Sequence, residues 1–162
     1  MAQFISSSSN AILTAKLWVS ESVDPEAFEH AERVAELVRQ NFSWSQDTPM
    51  SEVNRIAVHI IVAWIHDLVE DVKEITIDDV EKRFGLNIAE AVVAVTRNAQ
   101  GKETYAEFIQ RAKRNPIARL VKLADITDHL NQIHTIPSKS LIRRYENAQV
   151  ELEKLPSVWS LK

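Results

Sequence analysis

The stretch Ile65-His66-Asp67-Leu68-Val69-Glu70-Asp71 sets one imidazole and three carboxylates at the end of an apolar run, Ile56 to Ile65. That run has too few polar interruptions to face water as a helix, so it predicts a central, buried helix continuing through Asp71. Charged groups are rarely buried without a partner, and an imidazole beside a carboxylate on a core helix presents N and O ligands to a divalent metal. Neighbouring helix residues diverge by about 100°, so His66 and Asp67 share one ion only at the edge between their directions. Glu70 lies four residues after His66 and three after Asp67, one turn on and on their side. His30 falls toward the interior of an amphipathic stretch with Val34, Leu37 and Val38; taken alone it is an ordinary packed or surface histidine. Asp125 follows the apolar Val121, Leu123 and Ala124, where an unpaired carboxylate is costly. If three core helices meet, His30, His66, Asp67 and Asp125 form a set of two imidazoles and two carboxylates. That set suits manganese, iron, zinc or magnesium better than copper or an iron–sulfur cluster.

The elements that position these residues follow from composition and punctuation. With 162 residues and two glycines, the chain predicts one mainly helical domain over 1–162, without Gly-rich phosphate loops. Cysteine is absent, which excludes thiolate nucleophiles, zinc–thiolate sites and disulfides and suits a cytoplasmic protein. A net charge of -4 and a pI of about 5.7 give no broad attraction to a nucleic-acid polymer or an anionic membrane. The apolar run near 56–65 is too short to span a bilayer, and no signal peptide is expected.

Residues 1–9 read as a loose terminus, ahead of a first helix over Ala11 to Val19. Asp24-Pro25 starts a helix over 25–40, and Thr48-Pro49 restarts the pattern after a break at 41–48. Thr76-Ile77-Asp78-Asp79 resembles a capping box, and Phe84-Gly85 ends the helix it opens. Ile88 to Val95 reads as a buried helix despite its β-branched content. Gly101 precedes a helix with Tyr105, Phe108 and Ile109; Asn115-Pro116 opens the one carrying Asp125, and a last helix spans about Ser138 to Leu155. Its expected packing residues are Leu141, Ile142, Tyr145, Val150 and Leu152.

Residues 70–83 hold six acids and three bases, and 102–122 six bases and two acids. These are either two solvated faces that attract each other or, on the basic side, a phosphate-holding group of Lys122 with some of Arg111, Arg114 and Arg119. Lys122 neutralises either Asp125 or substrate phosphate. Tyr105 lines a phosphate pocket or simply packs. His59 reads as a packed histidine, His134 as a surface one, Trp64 as core and Trp44 as a candidate for stacking on a base.

His30 with Arg33-Val34-Ala35, then Trp64 to Asp71, Thr76 to Phe84-Gly85, Val95-Thr96 and Val121-Lys122-Leu123-Ala124-Asp125 resemble, in that order, the motifs of HD-domain phosphohydrolases. Within that superfamily the chain is most similar to the hydrolase domain of the RelA/SpoT group and its small stand-alone relatives, which remove pyrophosphate from the 3' position of guanosine tetra- and pentaphosphate. The similarity covers about residues 27–134. It implies an all-α HD-type fold and one divalent ion, usually manganese, on residues aligned with His30, His66, Asp67 and Asp125. It also implies that Glu70 and Asp71 serve the attacking water. Two departures concern substrate choice: His129 stands where the group has an asparagine, and the basic segment that the group carries ahead of its first metal histidine is replaced by Val23 to Glu29, mostly acidic or apolar. One turn from Asp125, His129 is placed to contact phosphate, donate a proton or approach the metal.

The expected function is a metal-dependent phosphohydrolase of a nucleotide, guanosine-3',5'-bis(diphosphate) being the best named substrate. Alternatives are cleavage of another nucleotide mono-, di- or triphosphate, and a nucleotide-sensing or interaction domain without turnover. Glu70, anionic and one turn from the ligand pair, is the first choice to orient or deprotonate the water; Asp71 is either its partner or a helix-end residue. A homo-oligomer is possible on the exposed faces.

Overall fold

The computed structural model describes residues 2–97 and 101–154, with side chains from Ser7 onward. It is all-helical, with no strand among the described residues. The order is α1 (Ala2–Ser22), α2 (Pro25–Gln40), α3 (Met50–Ile65), α4 (Leu68–Asp71), α5 (Ile77–Phe84), α6 (Leu86–Val95), α7 (Tyr105–Arg114), α8 (Pro116–Asn131), a 3-10 turn (Ile133–Thr135) and α9 (Lys139–Glu153). No helix is long and apolar enough to cross a membrane.

Local chemistry places the starts of the two helices that face each other across the site. Asp24 accepts a hydrogen bond from the Ala27 amide ahead of Pro25, and the Asn115 side chain accepts from the Ile117 and Ala118 amides ahead of Pro116. Each satisfies amides that the helix leaves unpaired, while proline gives up no bond in the first turn. Thr76 and Asp79 close the expected capping box on α5. Gly85, with φ 88° and ψ 167°, joins α5 to α6 in a region that side chains do not tolerate. The β-branched Ile88 to Val95 stretch is helical because Ala91, Val92 and Val95 bury against α3 and α8.

Helix α3 is the centre: it packs against α1, α2, α6 and α8, and Val62, Ala63 and Ile65 are fully buried. A smaller cluster of Phe108, Ile109, Ala112, Ile126, Ala148 and Leu152 ties α7 and α9 to α8.

Three expectations are corrected. Residues 2–9 belong to α1 rather than to a loose terminus; α1 runs along α3, and the Ser8 hydroxyl donates to Asn54 at 2.7 Å, so packing overrides the weak helix preference of the serine run. The central helix does not continue through Asp71. It stops at Ile65, His66 caps it, and Asp67 (φ -100°, ψ -8°) starts the short α4, its carbonyl receiving the Glu70 and Asp71 amides. Val150 is 54% exposed, on the outer side of α9. Met1, Leu155 and Trp159 lie outside the described residues.

Candidate metal centre

The helix breaks after Ile65, and the adjacent His66 and Asp67 side chains point to one place. The His66 Nε2 lies 3.1 Å from Asp67 Oδ2 and 3.9 Å from Asp125 Oδ1. From α2, His30 Nε2 reaches within 3.6 Å of the same Asp67 oxygen and 3.3 Å of the same Asp125 oxygen. All four expected ligands therefore converge. His30 Nε2, His66 Nε2 and Asp125 Oδ1 are buried with no hydrogen-bond partner, and they lie within 4.8 Å of one another. Buried polar atoms are nearly always paired, so three unpaired lone-pair atoms aimed at one point fit a cation.

The far sides of both rings support that fit. His66 Nδ1 donates to the Ala63 carbonyl at 2.8 Å, and His30 Nδ1 donates to Asp128 Oδ2 at 2.8 Å. With the proton on Nδ1, each Nε2 lone pair faces the cluster, as a metal-ligating imidazole requires. The cluster opens at Asp67, whose side chain is 40% exposed.

Lys122 Nζ donates to Asp125 Oδ2 at 2.6 Å, leaving Oδ1 for the cluster. Burial raises the Asp125 pKa, but the Lys122 charge and the His129 and His30 contacts outweigh it and hold the carboxyl well below the usual range. Burial likewise opposes the Lys122 charge, and Asp125 and Asp67 overcome it to raise its pKa. Asp67 is lowered, burial being outweighed by His66. For His66 burial lowers the pKa, yet the Asp67 carboxylate beside the ring pushes it up to about 9; His30 is raised too, its burial outweighed by Asp125.

These shifts set a pH dependence. In chelator-treated protein the stability that His66 contributes is fully present below its ordinary 6.5 and is lost as pH rises through about 9. An ion needs the unprotonated imidazoles, so its apparent affinity follows the opposite course and rises with pH as His66 and His30 give up their protons. Titration calorimetry in buffers of different ionisation enthalpy measures both the affinity and the protons released.

The remaining expected residues divide. Asp71 lines a small recess with His30, His66 and Asp67, and its pKa is raised by burial and by the Asp67 and Glu70 charges. Glu70, expected first as the water-activating group, is exposed like Asp71 but accepts the Arg97 amide at 3.3 Å and does not line the recess. His129 does stand beside the cluster: its Nε2 is 3.2 Å from Asp125 Oδ1, and its ring stacks between His30 and Tyr145 at centroid distances of 5.0 and 5.1 Å. The Tyr105 hydroxyl is buried without a hydrogen-bond partner among the described residues.

Three arginines expected at phosphate are engaged elsewhere or lie apart. Arg111 binds Glu103 and the Val93 and Thr96 carbonyls, and Arg119 binds the Leu152 and Glu153 carbonyls at the end of α9. Arg114 lines an open groove with Lys102, Glu107 and Gln110 on the surface of α7. In the ion pairs among the described residues, the basic stretch meets Glu103, Glu151 and Asp125 rather than the acidic 70–83 segment. Instead Arg97 and Arg144 hold their guanidinium groups 6.0 and 5.3 Å from the Tyr105 ring, a pairing no spacing in the sequence marks. His59 is a packed histidine, bonded to the Arg55 carbonyl and edge-on to Phe42.

No protein-family model matches this chain, and no curated protein matches it.

Proposed function

We propose that the protein is a metal-dependent phosphohydrolase acting on a nucleotide. The observation that carries the reading is the convergence of His30, His66, Asp67 and Asp125, three of them with buried, unpaired ligand atoms. A divalent ion there, manganese being the one the family resemblance implies, would supply Lewis acidity that acidifies water and polarises phosphoryl oxygen. The protein's own groups do the rest. Asp71, in the recess beside the ligands, takes the proton of the attacking water as its oxygen bonds to phosphorus; the P–O bond to the leaving group breaks, and the proton held by Asp71 passes, directly or through solvent, to that oxygen. Lys122 keeps Asp125 anionic, while Arg97 and Arg144 receive phosphate oxygens at the Tyr105 side.

Guanosine-3',5'-bis(diphosphate) is the first substrate to try, because the ordered motifs resemble those of the RelA/SpoT hydrolases. A second substrate reading, a nucleotide phosphorylated at one end only, is favoured by the groove that opens beside His30 and His129. That groove, of about 440 Å³, is walled by Asp24 and Glu26, by Ile136, Pro137, Leu141 and Tyr145, and by Arg33. Arg33 is paired with Asp128, so the groove offers an apolar and acidic wall to the leaving portion and no uncommitted arginine or lysine for a second phosphate.

The test is manganese-dependent release of phosphate or pyrophosphate from guanosine tetraphosphate and from common nucleotide mono-, di- and triphosphates, with His66→Ala/Asp67→Ala as control. Pyrophosphate from guanosine tetraphosphate supports the first substrate, and release from singly phosphorylated ends alone supports the second. Absence of turnover across the panel despite bound manganese contradicts the enzymatic reading and favours a sensing domain.

A further inference from the structure

We propose that Asp128 and Arg33 are positioning residues that aim His30 at the cation site. The inference rests on the reading of the cluster as a metal centre and assigns to it two residues that do not touch the ion.

Asp128 is 3% exposed, and a carboxylate so buried needs several donors to be tolerated. It has four bonds: Arg33 Nε to Oδ1 at 2.8 Å, Arg33 Nη2 to Oδ2 at 3.2 Å, Gln132 Nε2 to Oδ2 at 3.1 Å, and His30 Nδ1 to Oδ2 at 2.8 Å. The fork of Arg33 fixes the carboxylate in its plane, and the fixed carboxylate fixes the imidazole. Spacing makes this a matched pair of helix faces. His30 and Arg33 are three apart on α2, and Asp125 and Asp128 are three apart on α8, so each pair presents both members across the α2–α8 contact.

The two ligand histidines differ in how they are held. His66 is oriented by the Ala63 carbonyl of its own helix, which comes with the backbone. His30 depends on a side chain from another helix. Removing the Asp128 charge therefore frees one ligand and leaves the other in place. Outer hydrogen bonds of this kind typically carry about 10- to 100-fold in metal affinity.

The experiment is manganese titration of wild-type protein, Asp128→Asn and Arg33→Met, each compared in the chelator-treated state by urea unfolding. The zinc-loaded proteins are examined by imidazole nitrogen NMR. Asp128→Asn is expected to bind manganese about 10- to 100-fold more weakly. It should also lose the slowly exchanging Nδ1 proton of His30 while keeping that of His66. Arg33→Met, which leaves Asp128 in place, guards against a poorly folded Asp128 variant and is expected to lose roughly tenfold. Folded variants that bind manganese within about threefold of wild type, with both imidazole protons retained, would overturn the assignment and leave the pair a purely structural link. A wild-type protein that bound no ion would overturn the metal reading and this inference with it.

Discussion

Exchanging Asp125 for asparagine is expected to abolish tight divalent-ion binding and to lower folding stability by about 3–5 kcal/mol. The carboxylate is 2% exposed and serves two sets of partners: Lys122 Nζ on one oxygen, and the imidazoles of His30, His66 and His129 around the other. With the charge gone, Lys122 loses the nearest group that raises its pKa, while the burial that lowers it remains. The cost is that of a stranded buried cation, so it is relieved by removing the cation as well. In chelator-treated protein at neutral pH, Asp125→Asn/Lys122→Met is expected to recover most of the stability lost by the single variant, while manganese binding stays absent. Urea unfolding of the four proteins in the cycle measures this. A single variant as stable as wild type would show that the Lys122–Asp125 pair does not hold the α8 face in place.

Asp71→Asn is expected to lower turnover by about 10²- to 10⁴-fold with manganese affinity within a few-fold of wild type. The Asp71 and Glu70 side chains are both exposed, but Asp71 lines the recess with His30, His66 and Asp67, whereas Glu70 is bonded to the Arg97 amide. Glu70→Gln is therefore expected to have the smaller effect. The sign of the pH dependence follows from burial and from the Asp67 and Glu70 charges, which raise the Asp71 pKa. A base with a raised pKa loses activity as pH falls, and does so at a higher pH than an ordinary aspartate. The acidic limb of the pH profile of turnover should report that group and vanish in Asp71→Asn. A larger loss in Glu70→Gln than in Asp71→Asn would return the role to Glu70.

What could be read in the sequence was whatever carries a local cost. Asp24-Pro25 and Asn115-Pro116 announce α2 and α8 because capping and a first-turn proline leave few other conformations, and both starts are found as expected. Asp125 and His66-Asp67 were legible as candidate ligands because charged groups on apolar runs need a partner, and the structure brings them together with His30. Directions at a helix end were not legible. No glycine or proline marks the break at Asp67, and beyond it Asp71 rather than Glu70 lines the recess. Long-range pairing was hidden as well. Arg33 and Asp128 lie 95 residues apart in the chain, and only the packing of α2 on α8 pairs them. Arg111 and Arg119 looked available for phosphate, and backbone carbonyls at the ends of α6 and α9 take them.

The central claim is that the converging imidazoles and carboxylates hold one divalent ion. Calorimetric titration of metal-stripped protein with manganese at pH 8 tests it most directly. The account predicts saturable binding of one ion per chain in the wild type and none in His66→Ala/Asp67→Ala. No saturable binding by the wild type, or equal binding by a folded His66→Ala/Asp67→Ala variant, would contradict it.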